Sequence, residues 1–187
     1  GWLIADERAP GGFELHLEQL TVVGSPHSPR PVALNKKSSN MSLEASLSLR
    51  PLTLRHQRQR DIFRLQEAIC RGFRDFLHSQ GFTEIHTPKI VSAGAEGGSN
   101  IFRLDYFGRK AFLAQSPQFY KQMMVGVFER VFEVGPVFRA EKHSTVRHLN
   151  EYTSLDFEMG FIDSFQDLMN METAMLQHTL DLMSREY

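Results

Sequence analysis

Phe138-Arg139-Ala140-Glu141, as part of a strand, would put a guanidinium and a carboxylate on one face, because side chains two apart point the same way. Arginine grips a phosphate or carboxylate with two parallel hydrogen bonds and stays charged at any working pH. A carboxylate beside it can accept from an exocyclic amine. For the tetrapeptide alone, a solvated ion pair contributing little is the plainer alternative. The run that follows narrows the choice: Leu155, Phe157, Met159 and Phe161 alternate with Asp156, Glu158 and Gly160, so two acids share a face opposite an apolar one. Paired acids repel unless a cation or metal lies between them, so a basic or metal-bearing site is implied.

Three more groups suit the same chemistry. Arg147-His148 falls in the loop between the two strands, where a cationic pair can close over an anion, although such pairs are ordinarily solvated. Gly94-Ala95-Glu96-Gly97-Gly98 sets one carboxylate among residues that permit close backbone approach, which suits an amine; a surface turn is the alternative. Gln118 and Lys121 lie one helical turn apart behind Ser116-Pro117, so an amide and an ammonium can enter one cavity, with a solvated helix face as the default.

These residues need a frame. Apolar residues Ile62, Leu65, Ile69, Phe73, Phe76 and Leu77 recur at steps of three and four and stop at Gly81, which predicts an amphipathic helix over 61–79. Short β-branched and aromatic runs at 82–85, 101–107 and 110–114 predict strands, and Ser116-Pro117 opens a helix to about 127. A strand over 131–141, interrupted near Gly135-Pro136, is expected to pair antiparallel with 152–161. Ser164 with Asp167 forms a capping box for a last helix carried by Phe165, Leu168, Met169, Met175, Leu176, Leu180 and Met183, whose methionines are read as core. Helix, strands, helix and long hairpin make an α+β fold, not repeating βαβ.

The alternation Phe13-Glu14-Leu15-His16-Leu17 after Ala9-Pro10-Gly11-Gly12 predicts a strand following a tight turn, in a segment 1–24 too short to bury a core alone. Residues 25–60 read as a linker or hinge, rich in Pro, Ser, Lys and Asn up to 42. From 30 to 60 there are seven Lys/Arg against the single acid Glu44 in a chain of net charge -1. One cysteine, Cys70, excludes an internal disulfide framework, and no Cys/His cluster has zinc spacing, which points to a reducing, cytoplasmic setting. No apolar run approaches the roughly 20 residues that span a bilayer.

Gly81-Phe82-Thr83-Glu84-Ile85-His86-Thr87-Pro88 resembles motif 1 of the class II aminoacyl-tRNA synthetases, and the stretch from Phe138-Arg139-Ala140-Glu141 through Glu158 resembles their motif 2. Ala95-Glu96-Gly97-Gly98, the run Gln115-Ser116-Pro117-Gln118-Phe119-Tyr120-Lys121-Gln122 and Arg147-His148-Leu149-Asn150-Glu151 are similar to the aspartyl branch, archaeal and eukaryotic type. The resemblance covers nearly the whole chain.

It implies an antiparallel catalytic sheet flanked by helices over 61–187, preceded at 1–24 by the end of an anticodon-binding OB-fold. It also implies a homodimer through motif 1, no membrane, and substrates L-aspartate, ATP and tRNA(Asp), with tRNA(Asn) left open. The implied reaction forms aspartyl-adenylate and then aspartyl-tRNA, with Mg²⁺ helping. By this resemblance Arg139 is catalytic, bridging the aspartate carboxylate and the α-phosphate; Glu96, Gln118 and Lys121 bind aspartate. Ala140, Glu141, Arg147, His148, Leu149 and Tyr152 join Arg139 on ATP, while Asp156 and Glu158 support the cations from behind. Motif 3 and the acids for Mg²⁺ are expected beyond Tyr187. The sequence is accordingly read as a piece of a longer enzyme, unable by itself to make the adenylate. An asparaginyl-tRNA synthetase and a synthetase-like protein without catalysis are the alternatives.

Overall fold

The Arg8 guanidinium hydrogen-bonds Asp6 and holds its carboxyl below the ordinary value, while Asp6 also accepts from the Arg8 N–H at 2.9 Å. This turn folds β1 (Trp2–Ala5) back onto β2 (Phe13–His16), antiparallel with Trp2 opposite His16. The computed structural model describes residues 1–9, 11–25, 27–29, 31–34, 41–94, 100–143, 145 and 147–187. The chain divides into two units, Gly1–His56 and Gln57–Tyr187. Inside the stretch read as a linker, α1 (Leu43–Ser48) is capped by Ser42, whose Oγ accepts from the Ala45 N–H at 3.1 Å. The following α2 (Arg50–Thr53) is tied to α1 by Thr53 Oγ1, which donates to Ser46 O at 2.8 Å.

The second unit opens with α3 (Gln57–Ser79), four residues ahead of the expected start. Ala68, Gly72, Phe73, Phe76 and Leu77 form its buried face, and Gly81 ends it at φ 79°, a conformation glycine adopts without steric cost. Then come β3 (Thr83–Glu84), β4 (Ile90–Val91), β5 (Arg103–Tyr106) and β6 (Arg109–Leu113), followed by α4 (Gln118–Phe128). The long hairpin β7 (Arg130–Phe138) and β8 (Glu151–Met159) precedes α5 (Phe165–Glu186). The order β4-β6-β5 makes one antiparallel sheet; β3-β7-β8 makes the other, in which β3 runs parallel to β7 and β8 antiparallel. Phe138 N–H donates to Ala114 O, and Ala140 N–H to Asn100 O, stitching the end of β7 to the neighbouring sheet.

The capping box of α5 is present: Ser164 Oγ accepts from the Gln166 N–H at 3.2 Å, and Asp167 Oδ2 accepts from the Ser164 N–H at 3.0 Å. Helices α3 and α5 pack tightly at Gly72, where an added Cβ would stand 2.9 Å from Thr179 Oγ1. Together they cover one face of β7–β8, with Phe73, Phe76, Leu77, Phe82, Phe132 and Met175 at the centre. Phe73 meets Phe132 edge-on with ring centres 5.7 Å apart. Removing such a ring costs roughly 3–5 kcal/mol.

Three expectations change. No interruption occurs at Gly135-Pro136, because β3 pairs only with Val131 and Phe132. Pro136 therefore lies where β7 has a free edge and no ladder bond is lost. The second change concerns Arg139 and Glu141, which lie past the end of β7: Glu141 N–H donates to Arg139 O, a turn that ends the alternation. Third, of the methionines expected as core Met175 is buried but Met169 is exposed, and the apolar stripes of both helices carry further exposed residues, among them Ile62 (53%), Leu176 (50%) and Leu180 (62%). Both long helices are apolar on more than one side, and only one side meets the sheet.

Candidate functional site

Strand alternation divides β8 into two faces. Leu155, Phe157 and Met159 pack toward the helices, which leaves Ser154, Asp156 and Glu158 on the other side. A charged face of this kind requires a cation close by. Helix α4 supplies it: Lys121, 5% exposed, puts its Nζ 3.2 Å from Asp156 Oδ1 and 3.5 Å from Glu158 Oε2. Gln118, one turn earlier, donates from Nε2 to Glu158 Oε2 at 3.4 Å. Ser116 Oγ accepts from the Gln118 N–H and fixes the helix start. Asp156 is further oriented by the Ser154 hydroxyl, which donates to Oδ2.

An ammonium carries three protons, and among the described residues two carboxylates engage this one. Lys121 is therefore a fixed, buried positive charge, and among the described residues it keeps one donor for a carboxylate or phosphate. Its long side chain has been immobilised by the fold, so a ligand need not supply that ordering.

A second buried set adjoins the first. Glu133 stands directly opposite Asp156 across the β7–β8 ladder and is 3% exposed. It accepts from the Thr87 N–H at 2.9 Å, from Thr87 Oγ1 at 2.7 Å and from Lys89 Nζ at 3.0 Å. Sequence reasoning missed Thr87, Lys89 and Glu133. The available signal was a lone acid in the otherwise apolar run Val131-Phe132-Glu133-Val134.

The remaining candidates gather at the other end of the hairpin. Arg139, partly buried, extends the ladder by donating its N–H to Asn150 O at 3.0 Å, and Ala140 and Glu141 follow it, also partly buried. Tyr152 stands opposite Val137. Arg147, His148 and Leu149 are exposed in the connecting loop, where Thr145 Oγ1 and His148 Nδ1 lie 2.7 Å apart and Thr145 O accepts from the His148 N–H. The structure thus brings Gln118, Lys121, Asp156 and Glu158 into contact and arranges Arg139, Ala140, Glu141, Arg147, His148, Leu149 and Tyr152 around the strand ends. Glu96 lies outside the described residues. Among the described residues no three His, Cys, Asp or Glu side chains converge to hold a metal ion. No helix among them is long and apolar enough to cross a membrane.

The chain is similar to known proteins along most of its length. Residues 42–187 match the family model "tRNA synthetases class II (D, K and N)". An aspartate–tRNA(Asp/Asn) ligase of Deinococcus radiodurans is 51% identical over 181 residues, and an aspartate–tRNA(Asp) ligase of Pyrococcus abyssi is 42% identical over 175. These alignments take in 97% and 93% of this chain, but 42% and 40% of those proteins. The chain therefore spans about two fifths of the length of the curated relatives it matches. Among solved structures, asparaginyl-tRNA synthetase from Pyrococcus horikoshii complexed with asparaginyl-adenylate superposes with a TM-score of 0.86 at 36% identity, covering 100% of this chain and 43% of that one. Aspartyl-tRNA synthetase from Entamoeba histolytica gives 0.65 at 38% identity over 81% of this chain and 28% of its own.

Proposed function

The chain belongs to the class II tRNA synthetases (D, K and N), and from that premise we propose that the whole protein carrying it ligates L-aspartate to tRNA with ATP. The observation that carries the choice of aspartate is Lys121, buried between Asp156 and Glu158 with a proton to spare. A fixed ammonium favours a side-chain carboxylate over an amide, because the amide offers it no negative charge and leaves its own NH₂ facing a cation. Asparagine is the second reading, favoured by the superposition on an asparaginyl-tRNA synthetase.

In the first step the α-carboxylate of aspartate attacks the α-phosphorus of ATP, the bond to the bridging oxygen breaks, and pyrophosphate leaves. A terminal hydroxyl of tRNA then attacks the acyl carbon and AMP departs. Both steps depend mainly on positioning and on charge placed in advance. Arg139 bridges the α-carboxylate and the α-phosphate and stabilises charge at five-coordinate phosphorus. Glu141 accepts from the adenine amine, Tyr152 stacks on the ring, and the backbone at Ala140 and Leu149 borders it. Arg147 and His148 take the β- and γ-phosphates.

Glu96 takes the substrate ammonium, Gln118 and Lys121 read the side chain, and Asp156 and Glu158 hold Lys121 in place. Mg²⁺ would offset phosphate charge when bound, and no described residue is assigned to it. The partner nucleic acid is tRNA(Asp), extended to tRNA(Asn) by the relatives named for both, in a cytoplasmic setting. The hairpin β1–β2 is assigned to an OB-fold that meets the anticodon. A homodimer through α3 is supported by its exposed Ile62, Phe63, Leu65 and Ile69.

Amino-acid-dependent ATP–pyrophosphate exchange by the full-length protein tests the reading. Aspartate is expected to drive exchange at least about 100-fold more efficiently than asparagine. The reverse preference would transfer the assignment to asparagine, and no exchange with either would end it.

A further inference from the structure

Two lysines from different elements approach the same face of β7–β8. Lys121 comes from α4, and Lys89 from the segment between β3 and β4. They meet three carboxylates: Glu133 and Asp156 directly opposite one another, and Glu158 opposite Val131. Opposed residues on adjacent strands hold their Cβ atoms about 4.5–5.5 Å apart. Two carboxylates at that separation repel and compete for any nearby cation. The pairing divides them cleanly: Lys89 takes Glu133, at 3.0 Å, while Lys121 takes Asp156 and Glu158.

The division is enforced by shape. Thr87 fixes both oxygens of Glu133, its N–H on Oε1 and its hydroxyl on Oε2, and Lys89 Nζ also donates to Thr87 Oγ1 at 3.0 Å. Gly135 borders the pair: a Cβ there would stand 3.3 Å from Glu133 Oε1, a tight contact, and 3.4 Å from Lys89 Nζ, an ordinary one. Glu133 is thus held with its charge neutralised, and Lys121 is drawn only toward Asp156 and Glu158.

We propose that Lys89 is a positioning and specificity-determining residue for the carboxylate subsite: by neutralising Glu133 it prevents a third buried acid from drawing Lys121 away from the ligand. Loss of Lys89 leaves three carboxylates against the single ammonium of Lys121. An anionic side chain then meets a more negative site, while ATP, held at the other end of the hairpin, does not. The inference rests on the assignment of Lys121 to the substrate carboxylate.

The test is titration of L-aspartate and, separately, ATP into the full-length protein, wild type against Lys89→Met, Lys89→Arg and the double variant Lys89→Met/Glu133→Gln. Lys89→Met is expected to weaken aspartate at least tenfold and ATP less than twofold. Lys89→Arg, which keeps the charge, is expected to stay within about threefold. The double variant, which removes the uncompensated acid together with the lysine, is expected to regain most of the aspartate affinity. A purely structural role predicts the opposite for the double variant, a further loss. Should Lys89→Met fail to fold, the double variant and Lys89→Arg carry the same comparison. Equal weakening of both ligands, unchanged aspartate binding, or no recovery in the double variant would overturn the proposal. A wild type that binds ATP but not aspartate would instead overturn the assignment of Lys121, and this proposal with it.

Discussion

At one end of the β7–β8 hairpin the buried Glu133 and Lys121 pair with the partly buried Lys89, Asp156 and Glu158, whereas at the loop end Arg147, His148 and Leu149 are exposed. The two ends share strands and register, yet their charges are stabilised by different partners. Buried charges must find their partners within the protein, since desolvation leaves no alternative. Exposed charges have water, and can exchange it for a ligand. Under the proposed function the contrast separates two tasks: the far end would be organised in advance to recognise one small anion, and the loop end would present cations that a larger anion can gather. Substitutions at the far end should therefore register as lost stability as well as lost binding, and those in the loop as lost binding alone.

The largest expected effect comes from truncating the buried acid. Glu133→Ala removes the partner of Lys89 and the acceptor of Thr87, and should destabilise the full-length protein by about 3–5 kcal/mol in urea unfolding. A loss under about 1 kcal/mol would break the contrast. In the loop, Arg147→Ala should leave stability within about 0.5 kcal/mol while raising the KM for ATP roughly tenfold, or about 1.4 kcal/mol of binding. An unfolding midpoint that falls with it would show that the loop, too, is structurally tied.

The smallest effect lies away from both ends. A hydrogen bond from the Arg71 guanidinium holds the Glu186 carboxyl below its ordinary value of 4.5. A lowered folded value contributes stability above the ordinary value and loses it as pH falls through the folded one. The stability difference between wild type and Glu186→Gln should therefore be level at neutral pH and shrink below pH 4.5. Because both side chains are partly open to solvent, which screens the pair, the difference should also be small, and a difference that grows with acid would contradict it.

Much of this contrast was legible in the sequence, and its limits have physical reasons. The alternation of Leu155, Phe157 and Met159 with Asp156 and Glu158 gave away both faces of β8, and helical spacing placed Gln118 and Lys121 together. Two acids sharing a face demanded a cation, and Lys121 is the one the fold delivers. The alternation of Arg139 with Glu141 misled, because nothing in four residues records that β7 ends at Phe138 and turns. Lys89 and Glu133 went unread because a contact across 44 positions leaves no local pattern; only the oddity of one acid among Val131, Phe132 and Val134 hinted at it. Exposure of Ile62 and Leu180 was also hidden, since apolar periodicity marks a face that can be buried and does not say by what.

The central claim is that Lys121, clamped by Asp156 and Glu158, reads the substrate's side-chain charge. Its most direct test is the ratio of aspartate to asparagine activation, as kcat/KM in pyrophosphate exchange, for the full-length protein carrying Lys121→Met. The account predicts that the ratio collapses toward unity, by two orders of magnitude or more, with the KM for ATP held within about twofold. A variant that keeps the wild-type preference for aspartate would contradict it.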